Sequence, residues 1–224
     1  MNQQVRTMLD NTYNFFKEKY KDPLKAWDLF IEFLALDNNG LLIRQLDNIF
    51  DEIIKGNIAT DDVNKVYKAE FLRSDYYDHL GEMYFDKIML KRQERQDKGI
   101  FKQKDLSDLL PESAPIGSKK LLKILDLKAG TGRLLMSVYK KYPNSILFGV
   151  DSDQRLIRIA MTNFAIHNIP GYLLTADRRI HDIDISHENG KYNWRYANKW
   201  HSNFNSLKPI DKTRDYCIDL KPVP

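Results

Sequence analysis

Two closely spaced glycines in the second half of the chain belong to a pattern with clear chemical meaning. The apolar run 121–127 leads into Gly130-Thr131-Gly132, and a helical pattern follows directly. Glycines let a backbone turn tightly and let a ligand approach closely, and the N–H groups at a helix start favour anionic groups. The spacing therefore predicts a binding site for a nucleotide-like cofactor.

Aspartates near this turn indicate which kind of nucleotide-like cofactor the site would bind. A nicotinamide dinucleotide motif would have a third glycine near Leu135, and none is found there. Asp126 is foreign to that motif and favours a cationic group, such as the ammonium of an amino-acid moiety. Asp151 stands 25 residues after Asp126, close to the spacing at which an acid contacts ribose hydroxyls.

Three successive predicted strands each end in an aspartate: Asp126, Asp151 and Asp177. The carboxyl ends of parallel strands lie at one edge of a sheet, where such folds bind ligands. The pattern therefore predicts a bound nucleoside at that edge. The alternative is that the three acids only cap the helices that follow them.

The elements that position these residues follow two kinds of pattern. Over residues 1–95 apolar residues recur at spacings of three and four, which predicts a helical N-terminal domain. Residues 96–120 are polar and predict a connector with a short helix near 104–110. The second helix is expected to start at Asp22-Pro23 and to stop at 38–40, and the third to run over 41–55 and end at Gly56. Thr60 is expected to cap the fourth helix, and the fifth is expected over 75–95.

From residue 121 onward, strand patterns alternate with helical ones. The expected strands are 121–127, 145–151, 171–176 and 216–220, with helices at 134–141 and 154–167 and a polar, aromatic-rich segment over 177–214. Such alternation is typical of a parallel sheet with right-handed crossovers. We therefore expect an α/β domain over 121–224 with strand order 3-2-1-4.

Composition and charge exclude several classes of protein. The apolar runs are far shorter than the about 20 residues of a membrane span, so no membrane is expected. The N-terminus lacks a secretory signal, and the single Cys217 cannot form an internal disulfide, which favours a cytoplasmic setting. Residues 1–100 hold 15 Lys and Arg against 18 Asp and Glu, and residues 101–224 hold 20 against 13. This basic second half can attract a polyanion or form a solvated surface.

The glycine turn with its three aspartates resembles the motif of class I S-adenosylmethionine-dependent methyltransferases. The flanking segments 80–84, 98–101 and 156–169 are most similar to the adenine-N6 DNA methyltransferases of restriction-modification systems. The resemblance covers about residues 78–177, and the helical domain before them is similar in kind. It implies a Rossmann-like methyltransferase sheet, here shortened after its fourth strand.

The resemblance also implies S-adenosylmethionine as the cofactor and assigns residues to it. Asp126 and the amides around Gly130 and Gly132 would hold the methionine end. Asp151 would accept the ribose hydroxyls, and Asp177 would bond the adenine amino group. The remaining members of the expected cofactor site are Lys128, Ala129, Thr131 and Ser152.

The family's target-base loop, Asn or Asp followed by Pro-Pro and an aromatic residue, has no counterpart in the chain. Leu220 and Lys221 stand in its place, and an ammonium cannot accept the hydrogen bond of a flipped base's amino group. No catalytic residue is therefore predicted. Three functions stay open. The chain is a DNA methyltransferase, or a methyltransferase for RNA or a small molecule, or a non-catalytic relative. The non-catalytic relative would bind DNA, a partner methyltransferase subunit or a second copy of the chain.

Segment 191–201 interleaves aromatic and basic residues, among them Trp194, Tyr196 and Trp200. Such a segment can stack on unpaired bases and bind phosphates. It can also pack as a loop onto the sheet, which is the favoured interpretation. The histidines at 181, 187 and 201 lack the paired spacing of a metal site, so no metal is predicted.

Overall fold

A computed structural model describes residues 2–39, 47–89, 122–175, 183–188, 191–196 and 217–219. The chain divides into two compact units, described separately below. One comprises Met1–Lys98 with Met161–Asn168, and the other comprises Gly99–Ala160 with Ile169–Pro224. The expected connector over 96–120, with its short helix, lies outside the described residues.

The N-terminal part of the first unit is helical, as the sequence predicts. Its described elements are Gln3–Lys19 (α1), Pro23–Asn39 (α2), Asp47–Ile54 (α3), Thr60–Val66 (α4), Ala69–Ser74 (α5), His79–Tyr84 (α6) and a π-helical turn over Phe85–Met89.

Aromatic packing between α1 and α2 forms the core of this unit. The rings of Tyr13 and Trp27 lie 5.6 Å apart edge to face, and those of Trp27 and Phe30 lie 5.4 Å apart. All three side chains are buried, as is Phe16, and such tilted ring pairs add to the free energy of apolar burial. The expected start of α2 is confirmed, because the Leu24 N–H donates to Asp22 Oδ1 at 2.9 Å.

Two expected helix boundaries are wrong. Thr60 is the first residue of α4 and not its cap, since Ala59 occupies the N-cap position without a side-chain bond. The fifth expected helix, over 75–95, begins only at His79, after a separate short α5. Asp78 fixes that start because its carboxylate accepts the Gly81 N–H at 2.7 Å, the bond that an N-cap residue makes.

The remaining described elements alternate between strand and helix. They are Leu122–Asp126 (β1), Arg133–Lys141 (α7), Ser145–Asp151 (β2), Gln154–Ile166 (α8), Gly171–Thr175 (β3), Ile183–Glu188 (β4), Lys191–Tyr196 (β5) and Cys217–Asp219 (β6). A parallel four-stranded sheet has the order β3-β2-β1-β6. The predicted Rossmann-like order 3-2-1-4 is confirmed, with β6 as its fourth strand.

The segment over 177–214, expected to be irregular, contains an antiparallel hairpin of β4 and β5. Its register runs from Ile183 opposite Tyr196 to Glu188 opposite Lys191. Sequence analysis missed it because polar or charged residues occupy every second position, although that alternation of period two is itself a strand signal. Among the described residues, no helix is long and apolar enough to cross a membrane.

Candidate functional site

The glycine turn occupies residues 127–132, between β1 and α7. Gly130 has φ of 54° and Gly132 has φ of 82°, both in the left-handed region that favours glycine. Gly132 is also the N-cap residue of α7. The sequence prediction that these glycines form a tight turn is therefore confirmed.

Two carboxylates hold this turn through its backbone. Asp126 Oδ1 accepts the Lys128 N–H at 2.9 Å, and Asp151 Oδ2 accepts the Gly130 N–H at 3.0 Å. The Gly132 N–H donates to the Ala129 carbonyl at 2.8 Å. The two glycine amides that the resemblance assigns to the methionine end thus already donate to oxygens of the chain itself.

The carboxyl ends of β1 and β2 bring these two aspartates to one edge of the sheet. Asp126 lies opposite Gly149 in the register, so Asp151 is two residues further along the neighbouring strand. Both are buried, with 7% and 8% exposure. The third acid, Asp177, lies outside the described residues.

The interpretation that these acids are only helix caps does not hold for Asp126 and Asp151. Helix α7 has Gly132 as its N-cap, with no side-chain bond. At the start of α8, Asp153 Oδ1 accepts the Arg155 N–H at 2.8 Å and the Asp153 carbonyl accepts the Ile157 N–H. Asp153 is therefore the capping residue of α8, whereas Asp151 binds the Gly130 N–H of the glycine turn.

The other predicted site residues differ in exposure. Ala129 and Thr131 are buried, whereas Lys128 and Ser152 are exposed. A Cβ built on Gly130 would meet no atom within 4 Å in the part of the chain that the structure describes. That side of the turn is therefore open, and a ligand can approach it.

Sequence analysis missed Gly149, which the turn requires. A Cβ at this position of β2 would lie 2.6 Å from Leu173 Cδ2 and 2.8 Å from Ala129 Cβ. The turn can therefore lie against β2 only because this residue is glycine. The signal was a glycine inside an otherwise apolar strand, which often marks a close approach of another segment. Sequence analysis also missed Arg133, a charged residue that is buried directly after the turn.

Asn163 and His167 belong to segment 156–169, which resembles the methyltransferase family in sequence. Both residues contact other residues of the first unit. Asn163 Nδ2 donates to Asp78 Oδ1 at 2.7 Å, and the His167 ring lies 4.7 Å from that of Tyr76. Burial away from water lowers the pKa of His167 to about 4 and also lowers the pKa of His79. Both rings are therefore neutral near pH 7.

The register of the β4–β5 hairpin bears on nucleic-acid binding. Arg195 lies opposite Asp184, and Lys191 lies opposite Glu188. Both interpretations of segment 191–201, stacking on unpaired bases and packing onto the sheet, stay predictions.

Metal-ligating residues do not cluster in the part of the chain that the structure describes, where no group of three or more His, Cys, Asp or Glu side chains could hold an ion. His187 belongs to β4 by its backbone, whereas residues 181 and 201 are outside the described ranges.

Comparisons with known proteins found distant similarities. The release factor glutamine methyltransferase of Thermodesulfovibrio yellowstonii is 28% identical over 95 residues, which are 40% of this chain and 32% of that protein. The uncharacterized protein MG259 of Mycoplasma genitalium is 25% identical over 144 residues, 63% of this chain and 30% of that protein. No protein-family model matches the chain.

A solved structure is also similar. It is that of a candidate class I S-adenosylmethionine-dependent methyltransferase from Listeria monocytogenes, with a TM-score of 0.47 and 16% identity over 84% of this chain and 60% of that one. The matches with the two curated relatives span about a third of the length of each.

Proposed function

We propose that the second unit binds S-adenosylmethionine at the glycine turn, as a methyltransferase or a methyltransferase-like protein. The observation that carries this proposal is the Asp151–Gly130 hydrogen bond, which holds an open glycine turn beside two buried carboxylates at adjacent strand ends. A sulfonium nucleoside has a cationic amino-acid end and a ribose diol, and two acids at such a turn match both groups.

The residues present fit this cofactor. In this proposal the Asp126 carboxylate receives the methionine ammonium. Each Asp151 oxygen accepts one backbone N–H, and a carboxylate oxygen can accept two bonds, so capacity is left for both ribose hydroxyls. Asp177 remains the proposed partner of adenine, and the proposed lining is completed by Lys128, Ala129, Thr131 and Ser152.

The cofactor supplies a methyl group on a positively charged sulfur. What the chain contributes is the position and the electrostatics of that group. Negative charge at Asp126 and Asp151 favours binding of a cation. The similarity to the Thermodesulfovibrio glutamine methyltransferase supports methyl transfer as the chemistry.

The methyl acceptor is the finer part of the proposal. The resemblance to the restriction-modification enzymes favours adenine N6 in DNA as the methyl acceptor. The similarity to the glutamine methyltransferase favours a glutamine in a protein. RNA and small molecules are alternative acceptors. In the non-catalytic alternative the unit binds the cofactor together with DNA, a partner methyltransferase subunit or a second copy of the chain, and it transfers no methyl group itself.

Calorimetric titration with S-adenosylmethionine and S-adenosylhomocysteine tests the binding. Asp126→Asn keeps an oxygen for the Lys128 N–H and removes the charge, so we expect affinity to fall at least about tenfold. Asp153→Asn is the matched control, with affinity unchanged. Wild-type protein that binds neither compound at millimolar concentration would overturn the proposal.

Transfer of a labelled methyl group then distinguishes the acceptors. DNA, total RNA and a glutamine-containing peptide are offered separately to the wild-type chain and to Asp126→Asn. Label that enters one acceptor with the wild type, and is lost with the variant, identifies an enzyme and its substrate class. Binding without transfer to any of them supports the non-catalytic alternative.

A further inference from the structure

We propose that Asp151 is a positioning residue. It holds the glycine turn in its ligand-binding shape, in addition to any contact that it makes with ribose. This role follows from contacts between the chain's own residues, and its effect on cofactor affinity rests on the proposed function.

The Asp151 carboxylate joins two separate segments. Its Oδ2 accepts the Gly130 N–H at 3.0 Å, and its Oδ1 accepts the Asp153 N–H at 2.9 Å, just before α8. The side chain is buried, and hydrogen bonds to a charged acceptor are about twice as strong as neutral ones. One carboxylate therefore connects the turn after β1 to the end of β2.

Two neighbouring residues of the turn are held differently. Ala129 is buried, donates its N–H to the Val150 carbonyl at 2.9 Å, and lies where a Cβ on Gly149 would collide with it. Gly130 has no such packing, since a Cβ there would meet no atom of the described residues within 4 Å. Packing thus fixes Ala129, and the bond to Asp151 fixes Gly130.

This division has a consequence for binding. A ligand whose ribose contacts Asp151 uses the same carboxylate that holds the turn. Removing Asp151 therefore weakens two parts of the ligand site, the ribose contact and the turn on which the amino-acid end lies. A residue that only contacts ribose would weaken one.

Hydrogen exchange at the Gly130 amide, followed by NMR, tests the first step. In Asp151→Ala we expect this amide to exchange roughly tenfold to hundredfold faster, the effect of losing a charge-assisted bond. Asp151→Asn, with one neutral acceptor oxygen, should give an intermediate rate. Asp153→Ala is the matched control, because it removes the cap of α8 and leaves the Gly130 bond. Equal Gly130 protection in wild type and both Asp151 variants would overturn the proposal.

Ligand binding tests the second step with S-adenosylhomocysteine and its 2′,3′-dideoxy analogue, which lacks both ribose hydroxyls. If Asp151 positions the turn, the analogue binds Asp151→Ala at least about threefold more weakly than wild type. Equal affinity of the analogue for both proteins would mean that Asp151 acts through ribose alone and would contradict this step. If neither compound binds the wild type, the proposed function fails, while the Gly130 exchange rates still decide the positioning role.

Discussion

Both units use buried carboxylates to bind backbone N–H groups, but the partners differ. In the first unit, Glu32 accepts the Ile49 N–H at 2.9 Å and Asp78 accepts the Gly81 N–H at 2.7 Å, so both bind the first turns of helices. In the second unit, Asp126 and Asp151 bind an irregular turn that is open on one side. A carboxylate at a helix start stabilises that helix, whereas a carboxylate at an open turn can also serve a ligand.

This contrast predicts that variants of the two regions fail in different ways. Removing a carboxylate in the first unit should lower the free energy of unfolding. Removing one at the glycine turn should mainly lower ligand affinity.

Asp78→Ala should have the largest effect on stability. The variant leaves two buried donors, the Gly81 N–H and Asn163 Nδ2, without their acceptor, and each such loss costs about 1–3 kcal/mol. We expect the free energy of unfolding in urea to fall by about 4 kcal/mol. Asp62→Ala, at an exposed ion pair with Lys65, should leave the urea midpoint unchanged. A loss below about 1 kcal/mol for Asp78→Ala would remove the structural role given to this acid.

Gly149→Ala should affect both stability and the site. The new methyl group would lie under 3 Å from Leu173, Ala129 and Leu135 side-chain atoms, and such overpacking costs about 1–3 kcal/mol. Because Ala129 belongs to the turn, affinity for S-adenosylhomocysteine should fall with stability. Urea unfolding and calorimetry on the same preparation measure both. An unchanged affinity would show that the turn does not depend on its packing against β2.

Tyr20→Phe should cost about 1.5 kcal/mol, the range for a hydrogen bond to a charged group. The Tyr20 hydroxyl donates to Glu52 at 2.6 Å, and this bond, with one from Asn57, lowers the pKa of Glu52 to about 2. A lowered carboxyl pKa means that the stability Glu52 provides is present above about pH 4.5 and is lost as pH falls towards 2. Urea midpoints between pH 5 and 2 should therefore fall less steeply in the variant than in wild type. Parallel pH profiles would contradict this coupling.

His167→Gln should give the smallest effect near pH 7, where the ring is neutral, and its effect on stability should grow in mildly acidic solution. The pKa of His167 is lowered from 6.5 to about 4 by burial, so the unfolded chain binds a proton more readily than the folded one. Stability is therefore full above about pH 6.5 and falls as pH drops towards 4. The variant should lose less stability over this window, with His79 contributing the remainder in the same direction. A wild-type urea midpoint that does not change between pH 7 and 4 would count against buried neutral histidines.

Sequence patterns predicted the fold well where local and tertiary preferences agree. Ser145–Asp151 was predicted to the residue, because a short apolar run between turn residues suits a buried parallel strand. The hairpin of β4 and β5 was missed, because its strands alternate polar with less polar residues and contain no continuous apolar run. The start of α6 was misplaced because Asp78, and not the apolar stripe, decides it.

The candidate site was predicted in its residue types but not in its connections. The glycine turn and the aspartates are visible in the sequence because their types and spacing carry chemistry. The Asp151–Gly130 bond is not visible, because a separation of 21 residues along the chain gives no local signal. Gly149 was missed for a similar reason, since its role lies in the atoms of Ala129 and Leu173 that surround it.

The central claim is that the glycine turn of the second unit, and not the helix starts of the first, is a ligand site. NMR titration of the intact chain with S-adenosylhomocysteine tests it directly, with the amides of Gly130 and Gly81 as internal reporters. We predict that the Gly130 amide resonance shifts and saturates, while the resonance of the Gly81 amide, which donates to Asp78, does not move. A Gly130 resonance that stays in place at millimolar ligand would contradict it.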